Sequence, residues 1–301
     1  MYLLRILAVV VSGFCLLVPA VHAAQDENAS PSPQQTEIQK AYQAAQAAAK
    51  SGPTEILLKD QAILKLPAGY AYIPVAEASA VMNALGNQVG PDYLGMVVAE
   101  DLSGFVSINY NPAGYIKDDD ARDWKADEML DNLKKGTEAA NEDRHKRGIQ
   151  EFEVTGWIEK PAYEASSHRL VWSAALQDKG APANATQGVN YNTYLLGREG
   201  YMSLNLVTDA DSVEREKPLA RTLLAAVEFN SGKRYADFNG ATDKVAEYGL
   251  AALVGGIAVK KLGLLAALGV FLLKAWKISA LTLVGIGAAA RKFFGSKKKE
   301  E

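Results

Sequence analysis

The sequence predicts an α+β fold, a largely antiparallel sheet with two or three packed helices, followed by a C-terminal transmembrane helix. Three observations carry this reading. Runs such as Gly104 to Tyr110 alternate apolar and polar residues, as strands with one dry face do. Helically spaced stretches interrupt these runs without a regular βαβ cadence, which favours antiparallel pairing. Finally, residues 249 to 290 are apolar apart from a few lysines. With 301 residues, 49% hydrophobic content and 22% charge, the chain is globular, and a collagen-like repeat or wholesale disorder is excluded.

The chain opens like a secretory signal. Arg5 precedes an apolar stretch from Ile6 to Val18, and Pro19 leads to Val21-His22-Ala23, a small-residue cleavage site. Residues 1–23 are therefore expected to be a signal peptide. Its removal takes away Cys15, the chain's single cysteine, and with it any disulfide, thiol nucleophile or cysteine metal site. Residues 24–52 read as a polar, proline-bearing spacer and a short Ala-rich helix over Thr36 to Lys50, with Ile38, Tyr42, Ala45 and Ala49 at helical spacing and Ser51-Gly52-Pro53 as the stop.

Residues 53–240 read as the extracytoplasmic α+β domain. Ile56 to Leu58 and Ala62 to Leu66 flank Asp60-Gln61 as a hairpin or bent strand pair, and Tyr70 to Val75 begins the next strand. Ala76 to Leu85 places Val81, Met82 and Leu85 on one helical face. In Gly104 to Tyr110, Val106, Ile108 and Tyr110 form the dry face, and Ser107 and Asn109 the other. A long helix marked by Trp124, Leu130 and Leu133 follows Asp118-Asp119-Asp120 and ends at Gly148. Further strands are predicted at Phe152 to Ile158, His168 to Leu176 and Tyr201 to Thr208, the last with Ser203 and Asn205 opposite Met202, Leu204 and Leu206; Leu219 to Val227 is the final helix.

The end of the chain sets its expected location. Residues 241–290 read as an apolar membrane segment, 291–301 as a basic cytoplasmic tail. From Gly249 to Ala290 a straight helix would extend about 63 Å, roughly twice a bilayer's hydrocarbon core, so a single span uses part of it. Leu264, Leu265, Phe271, Leu272, Leu281, Leu283 and Ile286 are its lipid-facing candidates, between Lys260-Lys261 and Arg291-Lys292. A tight hairpin near Lys274 to Lys277 is the alternative, but it leaves the terminal lysines outside, against the positive-inside rule. The expected location is thus the bacterial inner membrane, with the main domain in the periplasm.

The lipid bilayer is accordingly the expected partner. Residues 6 to 259 carry 22 basic against 33 acidic side chains, and an acidic body excludes nucleic acid. Small residues at helical spacing (Ala252 with Gly256, Ala251 with Gly255, Gly263 with Ala267) would permit a homo-oligomer.

Chemistry-bearing residues are few. Asp118 and Asp120 offer oxygen ligands to a cation, or a helix cap with solvated charge, and the ligand spacing of a calcium loop is missing. His168 shares strand parity with Leu170 and Trp172, so it either packs inward or serves as a general base with an acidic neighbour. Asn190 and Arg198 lie between Gly188 and Gly200. The glycines flanking Arg198 either expose its guanidinium for carboxylate or phosphate recognition, or form a tight turn. No cofactor is expected, because no Walker loop, dinucleotide fingerprint or nucleophile elbow occurs.

Several stretches, in order, carry a resemblance: Leu85-Gly86-Asn87, Leu94-Gly95-Met96, Gly114-Tyr115-Ile116 with Asp118 to Ala121, Gly156-Trp157 with Pro161 and Tyr163, His168 with Leu170 and Trp172, Asn190-Tyr191, Leu196 to Gly200, and Tyr248-Gly249-Leu250. Together they resemble a bacterial family of uncharacterised membrane-anchored proteins, the domain of unknown function 2167. The resemblance implies a signal-led domain with a C-terminal anchor, and no established activity. Two functions follow as expectations: a binding or scaffolding module of the cell envelope, or an envelope hydrolase or sensor built on His168.

Overall fold

Short β-rich runs broken by turn residues pair with their neighbours in sequence, and that rule generates most of the architecture. The computed structural model describes residues 33–255 apart from 86, 88, 100, 147, 149 and 183. The expected signal peptide, the first part of the spacer, the basic tail and every candidate lipid-facing residue from Leu264 to Ile286 lie outside the described residues. So do Gly256, Gly263 and Ala267 of the small-residue pairs. Among the described residues no helix is long and apolar enough to cross a membrane.

The elements, in order, are α1 (Pro33–Ala48), β1 (Lys50–Ser51), β2 (Thr54–Leu58), β3 (Ala62–Leu66), β4 (Tyr70–Ile73), α2 (Val75–Ala84), β5 (Tyr93–Ala99) and β6 (Phe105–Asn111). A 3-10 turn over Asp119–Asp123 leads to α3 (Ala126–Lys146), then β7 (Phe152–Glu164), β8 (Arg169–Asp178), β9 (Gly188–Leu196) and β10 (Tyr201–Asp209). The chain continues through α4 (Val213–Ala225), β11 (Val227–Phe229), a 3-10 turn at Tyr235–Asp237, and α5 (Ala252–Gly255). The fold is α+β with a large antiparallel sheet, ordered β1-β4-β5-β6-β10-β9-β8-β7, and a second, three-stranded sheet, β11-β3-β2.

Three apolar clusters hold the layers together. On one face of the large sheet, Val106, Ile108, Tyr191, Met202, Leu204 and Leu206 meet the small sheet and α4 through Leu58, Leu64, Leu66, Leu223 and Val227. A fully buried side chain of this kind contributes about 1.5–3 kcal/mol. The opposite face carries helices at its two ends. Ala41 and Ala45 of α1 and Val81 and Met82 of α2 cover Ile73, Met96 and Val98. Met129 and Leu133 of α3, with Leu250, Leu253 and Val254, cover Phe152, Leu170, Trp172 and Leu176. Asn141 fixes α3 to β7 by donating to the Phe152 carbonyl at 2.8 Å and accepting the Phe152 N–H at 3.3 Å.

Several elements differ from the sequence reading. Strands β5 and β9 are buried along their whole length, so neither shows the alternation by which a half-exposed strand is recognised. Strand β7 runs on past Ile158 through Pro161, which the ladder tolerates because β7 is an edge strand with three register shifts. Helix α4 starts six residues before Leu219, with Pro218 inside it, and stops before Val227, which pairs with Leu64 in β11. Of residues 241–254, with which the expected membrane segment begins, Leu250, Leu253 and Val254 are buried in the cluster under α3.

Candidate functional site

The turn between β7 and β8 and the segment after β6 meet at one end of the large sheet. His168 closes that turn with φ of +52°, ahead of β8, and its side chain is 31% exposed. The sequence reading had placed it inside the strand, packed inward; the left-handed backbone instead releases it from the pleat at the lip of the sheet. There it meets Asp118, with Nδ1 4.0 Å from Oδ2, and Tyr163 stands between them. Tyr163 donates its hydroxyl proton to Asp118 Oδ2 at 2.7 Å, while His168 Nδ1 lies 3.2 Å from the same hydroxyl oxygen.

This geometry selects a tautomer. The tyrosine hydroxyl has one proton, and the shorter bond to the carboxylate takes it. His168 Nδ1 must then donate to Tyr163 Oη, so Nε2 carries a lone pair. Partial burial lowers the pKa of His168 below its ordinary value, and the nearby Asp118 carboxylate opposes that shift. Burial, followed by the bond to Asp118, pushes the Tyr163 hydroxyl far above its ordinary value, so its proton stays in place. An aromatic wall flanks the imidazole. Tyr235 lies against it at a centroid distance of 4.1 Å, and Tyr115 stacks on Tyr235 at 4.4 Å and on Phe238 at 3.8 Å. Tyr235 is fixed in turn by donating to the Ile116 carbonyl at 2.8 Å.

Of the residues singled out by sequence, His168 and Asp118 come together, and the others go elsewhere. Arg198 forms a fork on Asp243, Nε to Oδ2 at 2.6 Å and Nη2 to Oδ1 at 2.7 Å, and donates from Nη1 to the Gly232 carbonyl. Its guanidinium therefore ties down the chain before the C-terminal segment. Asp120 receives the N–H groups of Leu250 and Ala251. Asp118 and Asp120 thus face different partners, and among the described residues no group of three or more His, Cys, Asp or Glu side chains could hold a metal ion. Asn190 is 4% exposed within β9. It stands six residues before Leu196, whose N–H bonds the His168 carbonyl, hence about 20 Å along the strand from this site.

Tyr115 and Tyr163 enter the sequence reading only among the residues that carry the family resemblance, and Tyr235 and Phe238 not at all. The only signal was the presence of tyrosines near both ends of the segments that converge here, and that convergence rests on long-range pairing. Tyr115 pairs with the 244–246 segment, donating to the Lys244 carbonyl and accepting the Ala246 N–H, each at 2.8 Å.

A family described as "Protein of unknown function (DUF2167)" matches residues 50–287. No curated protein matches the sequence significantly. Among solved structures, the solution structure of cyanobacterial PsbP (CyanoP) from Synechocystis sp. PCC 6803 is 11% identical, with a TM-score of 0.34, over 60% of this chain and 91% of that one. A likeness so distant carries no inference about function.

Proposed function

The chain belongs to the DUF2167 family, and from that premise we propose a membrane-anchored domain of the bacterial envelope that faces the periplasm and binds a ligand at His168. The observation that carries the binding role is the direction of the imidazole. Tyr163 spends its proton on Asp118, so His168 presents Nε2 as a fixed acceptor beside the rings of Tyr235, Tyr115 and Phe238. Among the described residues no hydroxyl is hydrogen-bonded to Nε2, and a donor that sits on the aromatic wall would find its acceptor there.

Anchoring is supported by the way the chain leaves the globule. Arg198 holds Asp243, Tyr115 pairs with residues 244 and 246, Asp120 holds the amides of Leu250 and Ala251, and Trp172 donates to the Leu253 carbonyl at 3.2 Å. The apolar sequence that follows would thereby start from a fixed point. Protease added to intact spheroplasts should digest the globule and spare the final lysines; full-length protein recovered in the soluble fraction overturns the anchoring.

The approach of His168 to Asp118 supports a second reading, an envelope hydrolase or sensor with His168 as base. Complementation of a deletion strain separates the two. Gln can offer an acceptor near the Nε2 position but is no base, so His168→Gln should retain function in a binding domain and abolish it in a hydrolase.

A further inference from the structure

Four strands end a sheet among the described residues, and three of them carry devices that discourage a further strand from adding. β1 and β11 are two and three residues long. β7 is interrupted by three register shifts and by Pro161. β2 has no such device. Its five residues, Thr54 to Leu58, pair with β3 in unbroken register and include no proline or glycine. Its outer face holds Leu57, which is 73% exposed, more than any other large apolar side chain among the described residues.

Two opposite charges flank Leu57 along this edge, and among the described residues neither forms an ion pair. Glu55 stands opposite Lys65 in the register, but Lys65 bonds Glu228 at 2.7 Å instead. Lys59 follows the strand with φ of +56°; it is exposed and reaches the Pro91 carbonyl at 3.4 Å. The edge therefore reads carboxylate, alkyl group, ammonium. Turned end for end, that order is its own complement.

We propose that the β2 edge is a docking surface for a second copy of this chain, joined strand to strand about a two-fold axis at Leu57. In that antiparallel register Leu57 faces the partner's Leu57, Ile56 faces the partner's Leu58, and each Glu55 lies beside the partner's Lys59. Lys59 has left the pleat, and its four-carbon stem spans the extra distance. The two small sheets become one, and the exposed leucines cover each other beside Ile63, the β3 neighbour of Leu57. Moving the axis by one residue, to Ile56, sets Glu55 against the partner's Leu57 and desolvates a carboxylate on an alkyl group. Charge complementarity thus selects the first register, and it selects a copy of this chain over an unrelated strand. The contact is short, so association depends on concentration. It is independent of ligand binding at His168.

The test uses the full chain in detergent, carrying Cys15→Ser so that no native thiol competes. Opposite Cα atoms of an antiparallel pair lie about 4.5–5.5 Å apart, within the span of a disulfide. Leu57→Cys should therefore give a disulfide-linked dimer on mild oxidation, and Thr54→Cys, away from the axis, should not. Sedimentation velocity measures the strength of the contact. Leu57→Asp, at a position exposed enough to leave the fold intact, should raise the dimer dissociation constant about tenfold or more. Glu55→Lys should raise it roughly three- to tenfold, and adding Lys59→Glu should restore it to within about twofold. A dimer held elsewhere, through the apolar C-terminal sequence for instance, would persist in Leu57→Asp and leave Leu57→Cys unlinked. Either result overturns the proposal. So does a monomer at every concentration, a link at Thr54→Cys as complete as at Leu57→Cys, or a charge swap that restores nothing.

Discussion

Asp120 and Leu250, 130 positions apart in sequence, are joined by a hydrogen bond in which the carboxylate Oδ1 accepts the Leu250 N–H at 3.2 Å; Oδ2 takes the adjacent Ala251 N–H at 3.0 Å. These amides open the turn leading into α5, and the first N–H groups of a helix have no partner within it. The carboxylate therefore plays for α5 the part that its place in sequence suggested it would play for α3. Asp120→Ala should cost about 1 kcal/mol, in the range of a lost cap, with Asp120→Asn costing less. Hydrogen exchange should show the loss first at Leu250 and Ala251; protection there unchanged in Asp120→Ala would refute the assignment.

Gly114 makes the next clasp possible. Its φ is +97°, and a Cβ built there would lie 2.6 Å from the Lys244 carbonyl oxygen, the acceptor of the Tyr115 N–H. Gly114→Ala is strained by its backbone and by contact at once, so the cost should exceed about 1 kcal/mol. Because Tyr115 carries the stack onto Tyr235 and Phe238, the variant should also disturb the His168 ring resonances. A stable protein with unaltered ring shifts would contradict this coupling.

How far the sequence could be read depended on how local each signal was. The hairpin of β2 and β3, helix α2 and strands β6 and β10 announce themselves by periodicity, and each occurs close to where it was expected. Strand β9 does not, because Asn190, Asn192 and Thr193 interrupt its apolar run although all three are buried. The same circumstance inverted the reading of Ser203 and Asn205: alternation reports that two faces differ in chemistry, not that one of them meets water. For the candidate site, His168 and Asp118 were legible as residue types. Their joining through Tyr163 was not, because it requires the β7–β8 turn to approach a segment some 45 residues earlier in sequence.

The ion pair of Arg198 and Asp243 sets an acid limb. Hydrogen bonding to Arg198, reinforced by the Asn239 N–H at 2.7 Å, holds the Asp243 carboxyl well below the usual carboxylate range. A group whose pKa is depressed by folding stabilises the native state fully above its unfolded value, about 3.9, and loses that contribution as pH falls toward the folded value. Thermal melts from about pH 5 down to pH 2 should thus fall less steeply for Asp243→Asn than for the wild type. At neutral pH the same variant should melt lower. Parallel acid limbs would show that the fork contributes nothing to stability.

His168 titrates in a different window with the same sign. Burial favours the neutral ring, so its folded pKa lies below the ordinary value of about 6.5. The unfolded chain then binds more protons than the folded one between those two values. Stability contributed by the neutral ring is complete above about pH 6.5 and declines as pH falls below it. Asp118 acts against burial, since its charge favours imidazolium. Removing that charge in Asp118→Asn should lower the His168 pKa further, while Tyr163→Phe breaks the link and leaves the charge. Titration of the His168 ring Cε1–H by NMR checks the order directly: wild type below 6.5, Asp118→Asn lower still. A wild-type midpoint at or above 6.5 would mean that the carboxylate outweighs burial. The ring would then be a cation at mildly acidic pH, and the lone pair assigned to Nε2 would be lost there.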